Sequence, residues 1–596
     1  MSFFQSFDHW LCRLAARPIA VPLFLLFITV LAHGLLTPWL GYYSDDWLFI
    51  WTGQKLGSAG ITRYFTTNRP VWGLFFQVTM PLLGSHPLAW HLFGLFIRWV
   101  SALACWWMLS LAAPRESRRV ALWTALLLLV YPGFKLTPVP ITFGHLFLVM
   151  AIFFASLAFT LLVERRPDRF FPFTAAALLF SALNLLAMEY FFMLELVRPL
   201  LILLANAGLP LRPRLLHALK RWLPYLALFL TVLIWRMFFF PYQTENYSYS
   251  FFEQFQTAPL PALVELVQMF FRDLFVALIV GWGNIFTELP LRESSTAIRA
   301  LYALLALAGG LACFACLRAL RHGSASLHAP ATWWVLALVW LSLAGLPFLL
   351  TGIKVQAVWI YSRFTIPYIL GAALVIALLL SSFNLKTWVS LVILGSIAGL
   401  SIGSHFLNAN QFRNDWEQQK ELFWQMVWRF PDLRPGTTLV INEQHSYAGS
   451  NTYLTAALNW LYAPENHTAR MTYNVTYARY INNILLQSDQ AGPLRSGLPS
   501  SVFEGSRGDV LALFYTGRCL LTLDPDIDPA NPTLDVDSAR SAHLSRPEQI
   551  LLDPAAGPVK PDPMFEPEPP RGWCYWYQQA DLARQRADWA EVVRIG

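Results

Sequence analysis

Runs of about 20 apolar residues recur through the first two thirds of the chain, and a helix needs about that many to cross a bilayer. The first run, 18–40, follows Arg13 and Arg17 and carries no small-residue cleavage motif, which predicts an uncleaved span rather than a signal peptide. With 56% hydrophobic and 13% charged residues, the 596-residue chain cannot be a string of soluble domains. The sequence predicts a polytopic α-helical membrane protein.

Eleven membrane spans are predicted from the apolar runs and the loops between them. They cover 18–40, 87–111, 119–136, 140–163, 171–188, 190–207, 222–241, 297–318, 331–351, 364–382 and 387–407. Short loops rich in Lys and Arg mark the cytoplasmic side. This rule predicts a multi-pass plasma-membrane protein with a cytoplasmic N-terminus and an extracytoplasmic C-terminal part.

One further segment, 264–286, is long enough to span but carries Glu265, Arg272 and Asp273, which are costly inside a bilayer. A re-entrant or surface position for it keeps the basic loop 318–322 inside, as the charge rule requires. The alternative is a twelfth span and an inward-facing C-terminal part.

Charge divides the chain near residue 407. Residues 1–407 hold 27 Lys and Arg against 14 Asp and Glu, whereas 408–596 hold 16 against 22. Because the basic residues lie in loops between apolar runs, the net charge of +7 follows membrane orientation and predicts no nucleic-acid partner.

These features predict three regions. Residues 1–407 form a transmembrane body, with a first external loop at 41–86; 408–435 form an amphipathic linker helix; and 436–596 form a small soluble extracytoplasmic α/β domain. In that domain Cys519 and Cys574 are suited to one disulfide if the compartment is oxidising.

Two adjacent carboxylates, Asp45 and Asp46, directly follow the outer end of the first span. One interpretation makes one of them a cap for the next helix, since Asp is favourable at helix N-termini. The other makes one of them a base that deprotonates an acceptor hydroxyl, or a ligand for a divalent cation. The residues alone leave these roles open.

The surrounding segments resemble the GT-C glycosyltransferases, integral-membrane enzymes that include the protein O-mannosyltransferases and the lipid A aminoarabinose transferases. An acidic pair after the first span is followed here, as in that family, by the basic-Pro-aromatic run Asn68 to Phe75. Tyr361 to Tyr368 is similar to the family's Arg-Tyr/Phe-x-x-Pro segment near a late helix. The resemblance covers about residues 10–407 and not the C-terminal part.

The resemblance implies an enzyme that moves a sugar from a polyprenyl-phosphate donor in the bilayer to a glycan, lipid or protein acceptor of the cell envelope, with inversion. Inverting transfer needs a base near the acceptor and positive charge around the departing phosphate. By resemblance, Asp45 is the base and Asp46 orients it or binds a cation. Arg69 matches the phosphate-binding position, and Arg363 supplies a second cation.

Asn68, Trp47 and Lys354 complete the predicted substrate-binding set. For Arg363 and Lys354 the alternative is an interfacial anchor whose side chain reaches toward lipid headgroups.

A divalent cation is the candidate cofactor, with Asp46, His145 and Glu189 as candidate ligands. His145 stands where many GT-C members carry an acidic residue at the outer start of the fourth span, and this departure leaves metal dependence open. The alternatives are a hydrogen-bonded structural role for His145, and for Glu189 a pairing with an arginine or a helix cap.

Two other classes of function compete with the enzyme. A transporter or flippase for a lipid-linked or anionic substrate is disfavoured, because no internal repeat is evident and the carboxylate pair lies at the predicted surface rather than the midplane. A non-catalytic membrane scaffold that keeps the transferase fold is the third hypothesis.

Overall fold

The computed structural model describes most of the chain. The described residues are Arg13, Ala15, 17–112, 118–241, 250–320, 331–383, 385–443, 451–480, 492–498, 500–554 and 557–596. Loop residues 115–117 and 321–322, which helped to orient the predicted spans, lie outside these ranges.

The helices are numbered in chain order. They are α1 Ala20–Thr29, α2 Asp46–Lys55, α3 Gly57–Thr66, α4 Pro70–Leu83, α5 Pro87–Ala112, α6 Arg118–Val130, α7 Pro140–Arg165, α8 Phe170–Ala187, α9 Arg198–Ala205, α10 Leu211–Ile234, α11 Ser250–Thr257, α12 Pro259–Phe275, α13 Gly281–Thr287, α14 Thr296–Ala319, α15 Ala331–Leu350, α16 Ile369–Ser382, α17 Thr387–Arg429, α18 Asn451–Tyr462, α19 Val536–Ala542, α20 Trp573–Gln585 and α21 Trp589–Ile595. The strands are β1 Asp432–Leu433, β2 Thr438–Ile441, β3 Arg470–Met471, β4 Asn474–Tyr477, β5 Pro493–Leu498, β6 Ser501–Ser506, β7 Val510–Tyr515, β8 Leu520–Thr522 and β9 Ile550–Leu551.

Within the described residues, nine helical segments are long and apolar enough to cross a membrane. They are Ala20–Trp39, Pro87–Ala112, Pro140–Arg165, Pro167–Ala187, Leu211–Phe239, Thr296–Ala319, Ala331–Leu350, Trp359–Ser382 and Thr387–Arg429. Each overlaps one of the predicted spans, and the polytopic helical class is confirmed.

Two predicted spans take a different form. The third ends early, because α6 stops at Val130 before the sequence Tyr131-Pro132-Gly133. The sixth is broken into the 3-10 turns Glu189–Phe191 and Met193–Val197 followed by the short helix α9.

A buried ion pair lies at the break in the sixth predicted span. Arg198 Nη2 lies 2.5 Å from Glu195 Oε2, and the same guanidinium donates to the Ser156 carbonyl and hydroxyl oxygens at 3.3 and 3.1 Å. The guanidinium also stacks 4.1 Å from the ring centre of Tyr225. These contacts satisfy charges that are costly in an apolar interior.

The ambiguous segment 264–286 is helical throughout. Helix α12 continues through the π-helical turn Val276–Val280 into α13, and this run is not among the nine segments above. Its charged pair is satisfied locally, since Arg272 Nη2 lies 2.6 Å from the buried Asp273 carboxylate.

The chain forms two compact units. The first comprises residues 1–38, 67–72 and 90–411, and the second comprises 39–66, 73–89 and 412–596. The predicted external loop 41–86 is largely helical, as it holds α2, α3 and α4, and most of it belongs to the second unit.

The second unit is built around a four-stranded sheet with the order β4-β2-β7-β8. Strand β2 pairs in parallel with β4 and β7, and β8 closes the edge in antiparallel orientation. All four residues of β2 are buried, as expected for a central parallel strand covered on both faces. Helix α18 packs on β4, and α2 packs on α18.

Smaller elements complete this unit. Strands β3, β6 and β5 form a three-stranded sheet, and β1 pairs with β9. The predicted disulfide between Cys519 and Cys574 is present, with the two Cα atoms 5.4 Å apart.

Candidate active site

The acidic doublet begins helix α2 in the second unit. Asp45 occupies the N-cap position, yet within this described helix its side chain makes no capping hydrogen bond. Asp46 is the first helical residue and is fully buried, whereas Asp45 is half-buried. The capping interpretation therefore does not hold for the Asp45 side chain, and Asp46 keeps the favourable position of a carboxylate in a first helical turn.

Backbone geometry fixes the direction in which the doublet leaves the preceding turn. Ser44 has φ of +50°, in the left-handed region that residues other than glycine adopt rarely. Such conformations persist where the surrounding packing holds them, and they cluster at functional sites. The strained residue immediately precedes Asp45.

Trp47 is part of the packed interior of the second unit. Its ring is fully buried and stacks on Phe565 with the centroids 5.7 Å apart, and its Nε1 donates to Gln419 Oε1 at 3.2 Å. These contacts of the Trp47 side chain hold the first turn of α2 in place. Its predicted role in substrate binding stays a prediction.

Burial and nearby carboxylates raise the pKa values of Tyr42 and Tyr43, the two tyrosines that precede the doublet. Burial and then the charge of Asp46 raise the pKa of Tyr42 well above its ordinary value, and Asp562 adds to this. Burial also raises the pKa of Tyr43, with further contributions from Asp415 and Asp46. Both phenols therefore stay protonated and act as donors: Tyr43 Oη donates to the Phe412 carbonyl at 2.9 Å.

In the first unit, Glu189 joins Arg69 to Arg236. Arg69 Nε donates to both Glu189 carboxylate oxygens, at 3.2 and 2.9 Å, and Arg236 Nη1 lies 3.6 Å from Oε1. Arg236 Nη2 also lies 3.4 Å from the Asn68 carbonyl oxygen. The arrangement brings Glu189 together with Asn68 and Arg69, all three of which the sequence singled out. It also matches the alternative in which Glu189 pairs with an arginine.

The two guanidiniums decide the ionisation of Glu189. Burial raises the pKa of this carboxyl, but the charges of Arg69 and Arg236 and the Arg69 hydrogen bond outweigh burial and bring the pKa below its ordinary value. Glu189 is therefore ionised at neutral pH.

Arg363 lies on the 3-10 segment Trp359–Tyr368, which contacts the turn that holds Glu189. Its guanidinium stacks 4.9 Å from the ring centre of Phe364, and that ring lies 5.8 Å from the ring of Tyr190. Trp359, at the start of the segment, has φ of +30°. The 3-10 segment that contains the predicted motif Tyr361 to Tyr368 thus begins, like the turn at Ser44, with a residue of positive φ.

Lys135 is a buried lysine that the sequence did not single out. It lies in the loop between α6 and α7. Its backbone N–H donates to Ser362 Oγ at 3.1 Å, and Ser362 is the residue before Arg363. Burial lowers the pKa of the Lys135 ammonium to about 8, although Glu288 opposes the shift. In the sequence Lys135 lies at the end of the third predicted span, 119–136, where a single lysine is typical of an interfacial anchor, so no signal distinguished it.

Arg236 was also missed. As a single arginine near the end of a long apolar run, it resembles the many residues that mark a membrane boundary. Lys354, by contrast, is exposed, as the anchor alternative expects. We call Arg69, Arg236, Arg363 and Glu189 the basic cluster.

The candidate metal ligands are divided between the two units of the chain. Asp46 belongs to the second unit, whereas His145 and Glu189 belong to the first. His145 is fully buried in α7, and its Nδ1 lies 2.9 Å from the Ile141 carbonyl, which fits the structural alternative. The described residues contain no group of three or more His, Cys, Asp or Glu suited to a metal ion. No chemical step is derived through a metal.

No protein-family description and no curated protein matches the sequence. Among solved structures, the chain is similar to ArnT from Cupriavidus metallidurans bound to undecaprenyl phosphate. The two share 12% sequence identity with a TM-score of 0.39, and the match covers 87% of this chain and 94% of that one.

Proposed function

We propose that this multi-pass membrane protein is a transferase that moves a sugar from a polyprenyl-phosphate donor to a hydroxyl-bearing acceptor of the cell envelope on the outer face, with inversion. The observation that carries the proposal is the basic cluster, in which Arg69 and Arg236 pair with one carboxylate, Glu189, and the segment that carries Arg363 contacts the turn that carries Glu189. The excess positive charge suits a phosphate, and the planar guanidinium fork favours its oxygens.

The acidic doublet supports the acceptor side of the reaction. In the proposed step Asp45 takes the proton of the acceptor hydroxyl, and the oxygen forms a bond to the anomeric carbon. The bond between that carbon and the phosphate oxygen breaks, and its electron pair leaves with the phosphate, the group for which the resemblance assigns Arg69 and Arg363. Asp45 is half-buried and Asp46 fully buried, so Asp45 is the one able to meet a substrate.

The division of roles between the two carboxylates is tested with Asp45→Asn and Asp46→Asn. Cells lacking the protein are complemented with each variant, and glycolipids and glycans of the envelope are compared by mass spectrometry. We expect the product that wild type restores to fall by at least about 100-fold with Asp45→Asn, the range typical of a lost general base. Full restoration by both variants would contradict a transferase and favour the transporter or scaffold alternatives.

The donor side is tested by binding of synthetic undecaprenyl phosphate to the purified chain, followed by native mass spectrometry. Arg363→Gln is the main variant, because the contact seen for its guanidinium among the described residues is the Phe364 ring, so folding should persist. Arg299→Gln, an exposed arginine on α14, is the matched control. We expect roughly tenfold weaker binding for Arg363→Gln and none of this loss for the control. Equal binding by both would remove Arg363 from the phosphate site.

A further inference from the structure

A cavity of about 280 Å³ opens where the C-terminal end of α7 meets the start of α8 and the first half of α10. The polar residues that line it are Thr160, Glu164, Thr174, His217, Lys220 and Arg221. Its volume lies at the lower end of the range for small-molecule sites, enough for a headgroup rather than a whole lipid. All of these residues belong to the first unit.

This cavity lies far from the basic cluster. Helix α7 has 26 residues, so its two ends are about 39 Å apart at 1.5 Å per residue. The Lys135 loop, which bonds to Ser362, precedes the first residue of α7, and Glu164 lies at the other end. A bilayer core is about 30 Å thick, so the two ends of α7 reach opposite membrane surfaces.

One of the residues that line the cavity is Glu164, whose negative charge is already paired within the protein. Glu164 Oε2 accepts hydrogen bonds from His217 Nε2 at 2.6 Å and Asn206 Nδ2 at 2.9 Å, and Arg221 Nε lies 3.4 Å from Oε1. Because the ion pair uses the Nε edge of Arg221, the two Nη groups of its fork stay available. The fork is also held in place by the Phe170 ring, 4.5 Å away.

Lys220 adds a positive charge with no counterpart. It is exposed, and among the described residues its ammonium has no ion-pair or hydrogen-bond partner. The cavity thus holds one carboxylate, one guanidinium and one ammonium, so its net charge is positive. An anion entering it would meet donors already ordered by Glu164 and Phe170.

The surroundings of the cavity are amphiphilic. Arg165 is the last residue of α7 and Arg212 is the second residue of α10, so both helices bring further positive charge to the membrane surface that the cavity adjoins. Immediately beside it, α8 and α10 expose large apolar side chains, among them Phe171, which is 83% exposed, and Leu216 and Leu223. A charged pocket beside a lipid-facing apolar surface is the arrangement that binds anionic headgroups between transmembrane helices.

We propose that this cavity binds the phosphate headgroup of an anionic phospholipid from the leaflet that meets the Arg165 end of α7, which the charge rule predicts to be cytoplasmic. Arg221 and Lys220 hold the phosphate, Thr174 donates to a further oxygen, and the acyl chains lie along the exposed apolar face of α10. The inference is independent of the proposed transferase activity, because none of these residues belongs to the basic cluster or the acidic doublet.

Binding of defined lipids to the full-length protein in detergent tests this site, with native mass spectrometry as the readout. The probes are dioleoyl phosphatidylglycerol, dioleoyl phosphatidylcholine and inorganic phosphate. Lys220→Gln is the main variant, because among the described residues the Lys220 ammonium makes no ion pair or hydrogen bond that folding could depend on. Arg166→Gln is the control, since it removes the same charge from the same membrane surface outside the cavity.

We expect phosphatidylglycerol to bind wild type at least about fivefold more tightly than phosphatidylcholine, and Lys220→Gln to remove most of that preference while Arg166→Gln keeps it. Equal losses in the two variants would mean a diffuse basic surface and would overturn the site. Inorganic phosphate that displaces phosphatidylglycerol at equal concentration would overturn the lipid as ligand. If the protein showed no preference for the anionic lipid, both the site and the lipid as its ligand would be overturned.

Discussion

Glu189 is the residue on which the basic cluster depends, because it separates two guanidiniums that would otherwise repel each other. Without a carboxylate there, Arg69 and Arg236 would stay partly buried and would lose the negative charge that each contacts at Glu189. Breaking a buried pair by removing one partner costs more than the pair contributes, since the other charge is left behind.

Glu189→Gln is therefore expected to lower the stability of the purified protein by about 1–3 kcal/mol at pH 7, less than for a fully buried pair because all three side chains retain some exposure. Thermal unfolding in detergent measures it. The effect should depend on pH: since the pKa of Glu189 is lowered in the folded state, its stabilisation is present above its ordinary pKa and disappears as pH falls through the folded value. An unchanged melting temperature at pH 7 would contradict the ion pair.

Lys135 provides a test at the opposite end of the pH scale. Its pKa is lowered from 10.5 to about 8, so the folded state binds the proton less tightly than the unfolded state and stability rises with pH between these values. Wild type should gain about 1 kcal/mol between pH 7 and 9, and Lys135→Met should lose this gain. Lys354→Met, which removes an exposed lysine, is the control and should keep it. A wild-type curve that is flat over this interval would mean that Lys135 is not buried as an ammonium.

At the residue scale, sequence identified the side chains whose neighbours in the chain are distinctive. Asp45, Arg69 and Arg363 each stand within a patterned segment, whereas Arg236 and Lys135 are single basic residues beside apolar runs and look like anchors. What made them notable is burial beside distant partners, such as Glu189 for Arg236, which no local pattern encodes. The prediction of a metal site likewise rested on residue types, and the structure brings no three of them together among the described residues.

Helix α2 illustrates how an element is set by the turn before it. Ser44 holds φ of +50°, and this turn leads Asp45 and Asp46 into the first turn of α2. Glycine adopts this conformation without steric cost, whereas a β-branched residue does not.

Ser44→Val should thus lower stability by about 1–2 kcal/mol and reduce transfer, because the doublet shifts with the turn. Ser44→Gly should keep transfer close to wild type. Thermal unfolding and envelope product are measured for both variants. If valine behaved as glycine does, the turn would not control the doublet.

The Cys519–Cys574 disulfide ties the start of β8 to helix α20 across a sequence separation of 55 residues. Closing a loop of this length stabilises a fold by about 4 kcal/mol in the chain-entropy description. Cys519→Ser with Cys574→Ser should therefore let α20 detach, and limited proteolysis should cleave near Pro567 to Arg571 much faster than in wild type. The same cleavage after reduction of wild type is the control. An unchanged cleavage rate would show that packing alone holds α20.

The periodicity of apolar residues predicted most of the long helices to within a few residues. The third and sixth predicted spans were misjudged because hydropathy averages over Tyr131-Pro132-Gly133 and over the 3-10 turns that precede Arg198. The 41–86 segment was predicted as a loop because its apolar runs are too short to span, yet these runs form helices that pack in the second unit.

At the scale of the whole molecule, the sequence predicts which side of the membrane each loop faces, and labelling can test this orientation. The predicted topology places Arg166 inside and the C-terminal part outside. Single cysteines at the exposed positions Arg166 and Lys560 report on this with a membrane-impermeant maleimide. We expect Lys560→Cys to react in intact cells and Arg166→Cys only after permeabilisation. Reaction of Arg166→Cys alone in intact cells would reverse the orientation and contradict an outward-facing transferase.

The second unit takes helices α2 and α3 and most of α4 from two early stretches of the chain, and its sheets from the last third. During synthesis, residues 39–66 and 73–89 leave the ribosome long before residues 412–596 are made. Until then Trp47 lacks its packing partner Phe565 and its hydrogen-bond partner Gln419. Exposed apolar surface of this kind is prone to aggregation in a nascent chain. Biogenesis of this protein therefore requires that the early helices be sheltered, by the lipid surface or by a chaperone, until translation ends.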